Sequence, residues 1–432
     1  MTNKLPQIVA EVFSFLNENV DYAVLRNYEG LPYENKSRDI DIIITKSDYR
    51  KIRNDFVQLL VSNGYKIVSF FESERLQTII CGRVSDSIVD LLQFDFFFHT
   101  SAYGNILLDA KTILDSKIFE NGVYHVSKEF EFLDKYLYLK YIGAEYPQKY
   151  NKTKESIRNS EKLKGLLQEL FKISDFDELE SKTTSEFRKI IRKEVGFSIK
   201  NRVTFYSYYL LNQIKYKGYS FGFTGPDGSG KTTVLDCMVD ALKSVYSQID
   251  LYHFRPTVFG NLGEVAHSVG IKKEVDKDYS KPHRGNKVGP INSFCRLVFY
   301  SIDYIVGYCL KVRRKLCKRQ LVVFDRYYTD IICDSRRSRI FLPTKFLYWF
   351  GRLFIPSLDY NILLTASTET ILNRKQELDK EGVEAINSKI EYLSTKKGYK
   401  KILNEGTPQQ TACQILDYIF NEQHRKNLKR IK

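Results

Sequence analysis

At 432 residues, 43% of them hydrophobic and 14% aromatic, the chain has room for two or three domains with real cores, which excludes a fibrous or disordered protein. Its net charge of +15 implies anionic partners: nucleotides first, with a phosphorylated polymer or an anionic membrane surface as further classes. Seven scattered cysteines, with no C-x-x-C and no histidine at zinc spacing, exclude a disulfide framework and a zinc site.

The opening Met1-Thr2-Asn3-Lys4-Leu5-Pro6 lacks the apolar core of a signal peptide. A reduced, cytoplasmic setting is expected, with a peripheral position at the inner membrane face left open. Residues 8–16 have helical periodicity, and Tyr22-Ala23-Val24-Leu25 reads as a strand. A turn-rich segment over residues 30–38 leads into Asp39-Ile40-Asp41-Ile42-Ile43-Ile44, and Ser87-Ile88-Val89-Asp90-Leu91-Leu92 reads as a later strand. Strand alternation puts Asp39 and Asp41 on one face. Two carboxylates so close repel unless a cation lies between them, so the economical expectation is a magnesium site completed by Asp90. The segment resembles the polymerase-β type of nucleotidyltransferase over residues 8–125. It departs from that family where a Gly-Ser or Gly-Gly dipeptide belongs, because Gly30 is followed by Leu31 and Pro32. A degenerate binding domain and a solvated acidic strand end are the competing readings.

Residues 130–213 are rich in Lys, Glu, Leu and Tyr, with helical spacing in Phe132-Tyr136-Leu139 and Leu163-Leu167-Leu170. They are expected to form a helical connector. The tyrosines at 206, 208 and 209 are read as packed on a helix, with stacking on a ligand as the alternative.

Next comes Gly225-Pro226-Asp227-Gly228-Ser229-Gly230-Lys231-Thr232-Thr233, which satisfies G-x-x-x-x-G-K-[ST]. A short apolar strand precedes it, and Val234, Leu235, Met238, Val239 and Leu242 follow at helical spacing. Gly225, Gly228, Ser229 and Gly230 are expected to turn backbone N–H groups toward a phosphate. Lys231 is expected to reach the outer phosphates, with Thr232 on Mg²⁺ and Thr233 closing the loop. The expected cofactors are ATP and Mg²⁺. Residues 294–310 are the most lipid-like stretch, but Arg296 and Asp303 interrupt them, so a buried core helix is expected rather than a membrane span.

Leu321-Val322-Val323-Phe324 is an apolar strand ending in Asp325-Arg326-Tyr327. An acidic residue at that end of a buried strand lies at the mouth of an α/β sheet. Asp325 is expected near magnesium and Arg326 at a second anion, with a mutual salt bridge as the bland alternative. The loop carries one cation, Lys231, so another must come from elsewhere: Arg374 and Lys375, or Arg336, Arg337 and Arg339. A solvated basic face is the alternative for each.

Residues 219–425 resemble the thymidylate kinase branch of the nucleoside monophosphate kinase-like P-loop enzymes. The resemblance rests on the glycine loop, the Asp325-Arg326-Tyr327 triplet, Arg255-Pro256 after a second strand, a fourth strand over residues 356–366, and a following helix with Arg374-Lys375. It implies that Asp227 faces the acceptor, that Arg255 and Arg326 grip the acceptor phosphate, and that the protein dimerises. Where that family reads thymine with a glutamine, this chain has Asp334-Ser335-Arg336-Arg337-Ser338-Arg339. The acceptor pocket is therefore expected to favour anions, through Arg336 and Arg337, over the base.

The fold class expected is α/β: a P-loop kinase domain at 215–432 with a parallel sheet flanked by helices, an α+β nucleotidyltransferase-like domain at 1–128, and a helical connector at 129–214. The function expected is an ATP-dependent phosphotransferase acting on a small-molecule or glycan acceptor, nucleotide-like or a phosphorylated sugar. A nucleotide-binding regulatory or sensor protein is the competing class. Nucleic acid is not expected as a partner.

Overall fold

The computed structural model describes residues 3–35, 37, 39–258, 288–375 and 377–431, with the side chains of Asn3, Lys4 and Lys149 left aside. Arg38, the last residue of the expected turn segment, lies outside the described residues, as does Lys432 of the basic tail. The chain divides into two compact units. One comprises Met1–Arg83, Asp90–Lys215 and Phe420–Lys432, the other Val84–Val89 and Tyr216–Ile419.

Three domains were expected and two units are found. The connector is part of the first unit, because its apolar helix faces have nowhere else to be buried. Phe130, Phe132, Leu133 and Leu137, with Leu163, Leu167 and Phe187, share one core with Ala23, Leu25, Ile43 and Leu107. The C-terminal residues also join this unit: Asn427 Nδ2 donates to Ile67 O at 3.1 Å and to Val68 O at 2.9 Å.

The first unit carries a seven-stranded mixed sheet. Its order is Ile118–Glu120, Val123–His125, Tyr22–Val24, Asp39–Ile44, Ile88–Phe97, Leu76–Ser85 and Lys66–Glu72. The Asp39–Ile44 strand runs parallel to Ile88–Phe97, with Asp39 opposite Gln93 and Asp41 opposite Asp95.

The second unit is built on five strands in the order Ile249–His253, Leu321–Asp325, Ser220–Thr224, Tyr360–Thr365, Tyr399–Leu403, every neighbouring pair parallel. Ser220–Thr224 and Leu321–Asp325 are buried at every position, as strands covered on both faces must be. The chain leaves Ser220–Thr224 with one parallel neighbour on each side. That is the point where strand order reverses, and the crevice beyond the carboxyl ends is where such sheets bind ligands. The glycine loop occupies that position.

The helix Pro290–Gly307 continues through a π turn, Tyr308–Val312, to Arg313–Cys317. By length and composition this stretch is sufficient to cross a membrane, yet a third of its window is buried in the protein. Leu297, Tyr304, Val312 and Leu316 pack into the core of the second unit. It is a core helix on one side only.

Candidate functional site

The loop after Ser220–Thr224 takes its shape from three glycines. Gly228 and Gly230 have φ of +87° and +83°, a region that side-chain-bearing residues rarely enter. A Cβ on Gly225 would stand 1.9 Å from Leu364 O, so the loop can pass the neighbouring strand only as glycine. Gly230 leads into the helix Lys231–Leu242, whose first N–H groups open toward the loop.

Lys231 is buried, and its ammonium donates to Gly225 O and Pro226 O, both at 2.8 Å. It lies 4.0 Å from Asp227 Oδ1. Burial first, and then the Arg326 guanidinium, pull its pKa down to about 8. Ser229 is fully buried and its Oγ has no hydrogen-bond partner. Thr232 and Thr233 are exposed at the helix start.

Asp325 ends its strand buried, with Oδ1 unpartnered and Oδ2 3.3 Å from His253 Nδ1. An orphaned buried carboxylate oxygen is costly unless something outside the chain occupies it. Arg326 follows with φ +76°, a left-handed backbone held by its N–H donating to Phe223 O at 3.0 Å. Such strain in a residue with a long side chain persists when the surroundings impose it. Its guanidinium donates to Asp227 Oδ1, and Arg337 Nη2 donates to Asp227 Oδ2. Arg337 also bonds Asp334 through Nε at 3.4 Å. Arg326 Nε stands 3.6 Å from Asp330 Oδ1, a carboxylate that burial raises to about 6 despite that guanidinium. Lys231, Arg326 and Arg337 therefore meet at one carboxylate.

Asp227, Arg326 and Arg337 were all expected on the acceptor side, and the structure brings the three together, both guanidiniums donating to the Asp227 carboxylate. Arg374 lies at the loop as well: its Nη1 donates to Asn404 O at 3.1 Å and stands 3.8 Å from where a Gly230 Cβ would be. Lys375 Cβ is 3.3 Å from the corresponding Gly228 position.

Two other expected acceptor residues are placed differently. Arg255 Nε lies 2.9 Å from Asp303 Oδ2 in an ion pair, both residues are buried, and the guanidinium lies 4.4 Å from the Tyr300 ring centroid. The Asp303 carboxylate also accepts the Val258 N–H at 2.7 Å. Arg255 thus pins the second strand's end to the Pro290–Gly307 helix, a structural pairing that the sequence did not suggest. Arg336 is half exposed, 3.6 Å from Asp379, and is not drawn into the Asp227 cluster.

Sequence reasoning missed Asn404. This buried side chain donates to Ser229 O at 2.8 Å and accepts from Thr411 Oγ1 at 2.8 Å, fastening the loop to the fifth strand. Its signal was a polar residue directly after an apolar strand, in Ile402-Leu403-Asn404.

In the first unit, Asp90 does not join Asp39 and Asp41. It sits toward the start of its strand, paired with Arg83 at 3.3 Å, while parallel pairing sets Asp95 opposite Asp41. Asp41 is bonded by Arg26 Nε at 2.5 Å. Asp95 accepts from Thr78 Oγ1 at 2.5 Å and Gln93 Nε2 at 2.8 Å, and burial, then Asp41, raises it to about 6. Burial and the Asp41 charge also raise Asp39. Protein donors therefore partner Asp41 and Asp95, whereas Asp39 Oδ1 is buried without a hydrogen-bond partner. Among the described residues, no three His, Cys, Asp or Glu side chains are grouped to hold a metal ion. Asp95 could have been found from Gln93-Phe94-Asp95-Phe96, which repeats the alternation of Asp39-Ile40-Asp41-Ile42.

The chain matches no protein-family model and no curated protein. Among solved structures it is similar to the thymidylate kinase of Ehrlichia chaffeensis, with a TM-score of 0.30 and 14% identity, over 50% of this chain and 100% of that one.

Proposed function

We propose that the second unit is an ATP-dependent phosphotransferase whose acceptor carries a phosphate, a small molecule or glycan rather than a nucleic acid. The observation that carries this reading is the meeting of Lys231, Arg326 and Arg337 at Asp227, beside a glycine cradle at the switch point of a parallel sheet. Phosphoryl transfer asks a protein for positioning and for cations on the oxygens that gain charge. Lys231, released from the Gly225 and Pro226 carbonyls, has the reach to exchange them for phosphate oxygens. Helix N–H groups and the backbone around Gly228 and Gly230 hold the donor phosphates. Arg374, on the segment that touches both glycines, supplies charge from the opposite side. Arg326 and Arg337 orient the acceptor phosphate, and Asp227 holds both guanidiniums in place until it arrives.

Thr232 and the unpartnered Asp325 oxygen fit magnesium, which would screen the charge of the donor phosphates when bound. Asp330, raised to about 6, stands behind Arg326 and helps keep its guanidinium in place.

One observation favours the competing reading of a nucleotide-gated regulatory protein. Both arginines are already engaged by Asp227, so an acceptor must displace that carboxylate before it can be gripped. The two readings separate on turnover. Purified chain is incubated with Mg·ATP and a panel of phosphorylated sugars and nucleotides, and ADP is followed against a no-acceptor baseline. A rise with one acceptor class supports the transferase; nucleotide binding with no acceptor-dependent ADP supports the sensor.

A further inference from the structure

The helix Pro290–Cys317 carries two features that the phosphotransfer site does not use. Ile291, Phe294, Val298, Ile302 and Ile305 are all exposed, Ile291 at 82%. Their spacing of three and four residues makes them one continuous apolar face, distinct from the face of Leu297 and Tyr304 that enters the core. An apolar stripe of this length left in water is costly, and monomeric proteins seldom keep one without a use.

The same helix then changes character. From the π turn onward it presents Lys311, Arg313, Arg314, Lys315 and Lys318, and these lead into a cleft of about 810 Å³. Lys243, Lys311, Arg314, Lys315 and Lys318 line that cleft, with Asp250, which pairs with Lys315, as the acidic group among the lining residues. A helix C-terminus needs one or two cations to balance its dipole. Four from this helix end, joined by Lys243 from another helix, exceed that need even with Lys315 paired to Asp250 and Lys243 to Asp240, and describe a receptor for phosphate-bearing groups.

We infer that this helix docks on an anionic lipid bilayer, the apolar face entering the headgroup–acyl boundary and the basic cleft receiving lipid phosphates. The pairing of an apolar stripe with a cationic cluster on one helix is the pattern of interfacial helices. Charge complementarity decides among occupants. A second copy of this chain would bring a second set of the same cations, and a soluble polyanion would leave the stripe in water. The inference is independent of the phosphotransfer reading, since none of these residues belongs to the loop cluster.

Flotation of the full chain with vesicles of equal phosphatidylglycerol and phosphatidylcholine tests it, with phosphatidylcholine alone as the comparison. The chain should float with the anionic vesicles only, and less so as salt rises. Ile302→Glu with Ile305→Glu, and separately Lys311→Glu with Arg314→Glu, should each weaken partitioning roughly tenfold or more. Ile291→Ser, at a side chain almost wholly in water, is read beside them because its fold is not at risk, and it should weaken flotation several-fold. Absence of flotation overturns the inference. So does loss of flotation in the cation variant alone, with tripolyphosphate competing equally well, which would make the cleft a site for soluble polyanions. If the stripe variants float normally while converting a dimer to a monomer in sedimentation velocity, a second copy covers the face and the inference fails.

Discussion

The Arg326 guanidinium donates to the Asp227 carboxylate, across the 99 residues that separate the end of the third strand from the glycine loop. Asp227 also receives Arg337 and lies 4.0 Å from Lys231, so one carboxylate joins three cations. Asp227→Asn preserves its shape and removes its charge. Because both guanidiniums are largely buried, the variant should lose about 3 kcal/mol of stability, the low end for breaking a buried pair, since Arg337 keeps Asp334. Urea denaturation measures this. An unchanged midpoint would mean that solvent already screens the cluster.

Lys231 offers a pH signature. Its pKa is pulled down to about 8 in the ligand-free fold, mainly by burial. An anion arriving beside it favours the charged form, so binding raises that pKa and takes up protons from solution near and above pH 8. Calorimetry of Mg·ATP binding at about pH 8.5, in buffers of differing ionisation enthalpy, should show net uptake that shrinks at about pH 6.5, where the ammonium is charged before binding. Taken alone, the depressed pKa costs stability below the unfolded value: this contribution improves as pH rises from about 8 toward 10.5. Proton uptake that did not change between the two pH values would place the phosphates away from Lys231.

Asn404 fastens the loop from the fifth strand. Asn404→Ala leaves buried Ser229 O and the Thr411 hydroxyl without this partner, at a cost of about 1–3 kcal/mol. A loop less firmly held should also bind nucleotide several-fold more weakly. Thermal unfolding and a fluorescent-nucleotide titration read the two effects. A stability loss at unchanged affinity would make Asn404 a core residue alone.

Arg255 and Asp303 are expected to behave as a buried pair. Either one changed to Ala should cost about 3–5 kcal/mol, and Arg255→Met with Asp303→Leu should recover most of the loss. Were Arg255 a ligand of the acceptor phosphate, as the kinase resemblance implies, its Ala variant would instead fold normally and show a raised acceptor KM.

Much of the second unit was legible in the sequence. The glycine loop, its strand, its helix and the Asp325-Arg326 strand end are local patterns, each written in consecutive residues. The partners of those residues were not legible. Asp227 and Arg337 were both assigned to the acceptor side, but their direct ion pair was not legible, because the fold that joins them is set by parallel pairing between strands far apart in the chain. The same limit explains Asp95: the strand after Asp90 runs five residues further than expected, and register alone decides that Asp95 faces Asp41. It explains Arg255 too, since a buried ion pair is invisible until the helix that carries Asp303 is folded against it. The connector was read as helical, and it is. That its faces complete the first unit's core could not be read from periodicity, which says which side is apolar and not what covers it.

The central claim is acceptor-dependent phosphoryl transfer at the Lys231 loop, and single-turnover transfer from γ-labelled ATP tests it most directly. With a phosphorylated sugar or a more highly charged nucleotide, the label should move to the acceptor, and thymidine monophosphate should be a poor substitute. Lys231→Ala should abolish the transfer, whereas Arg336→Ala, half exposed beside Asp379, should alter it little. Transfer that survives in the Lys231→Ala protein, or label that reaches no acceptor while the folded chain binds nucleotide, would contradict the account.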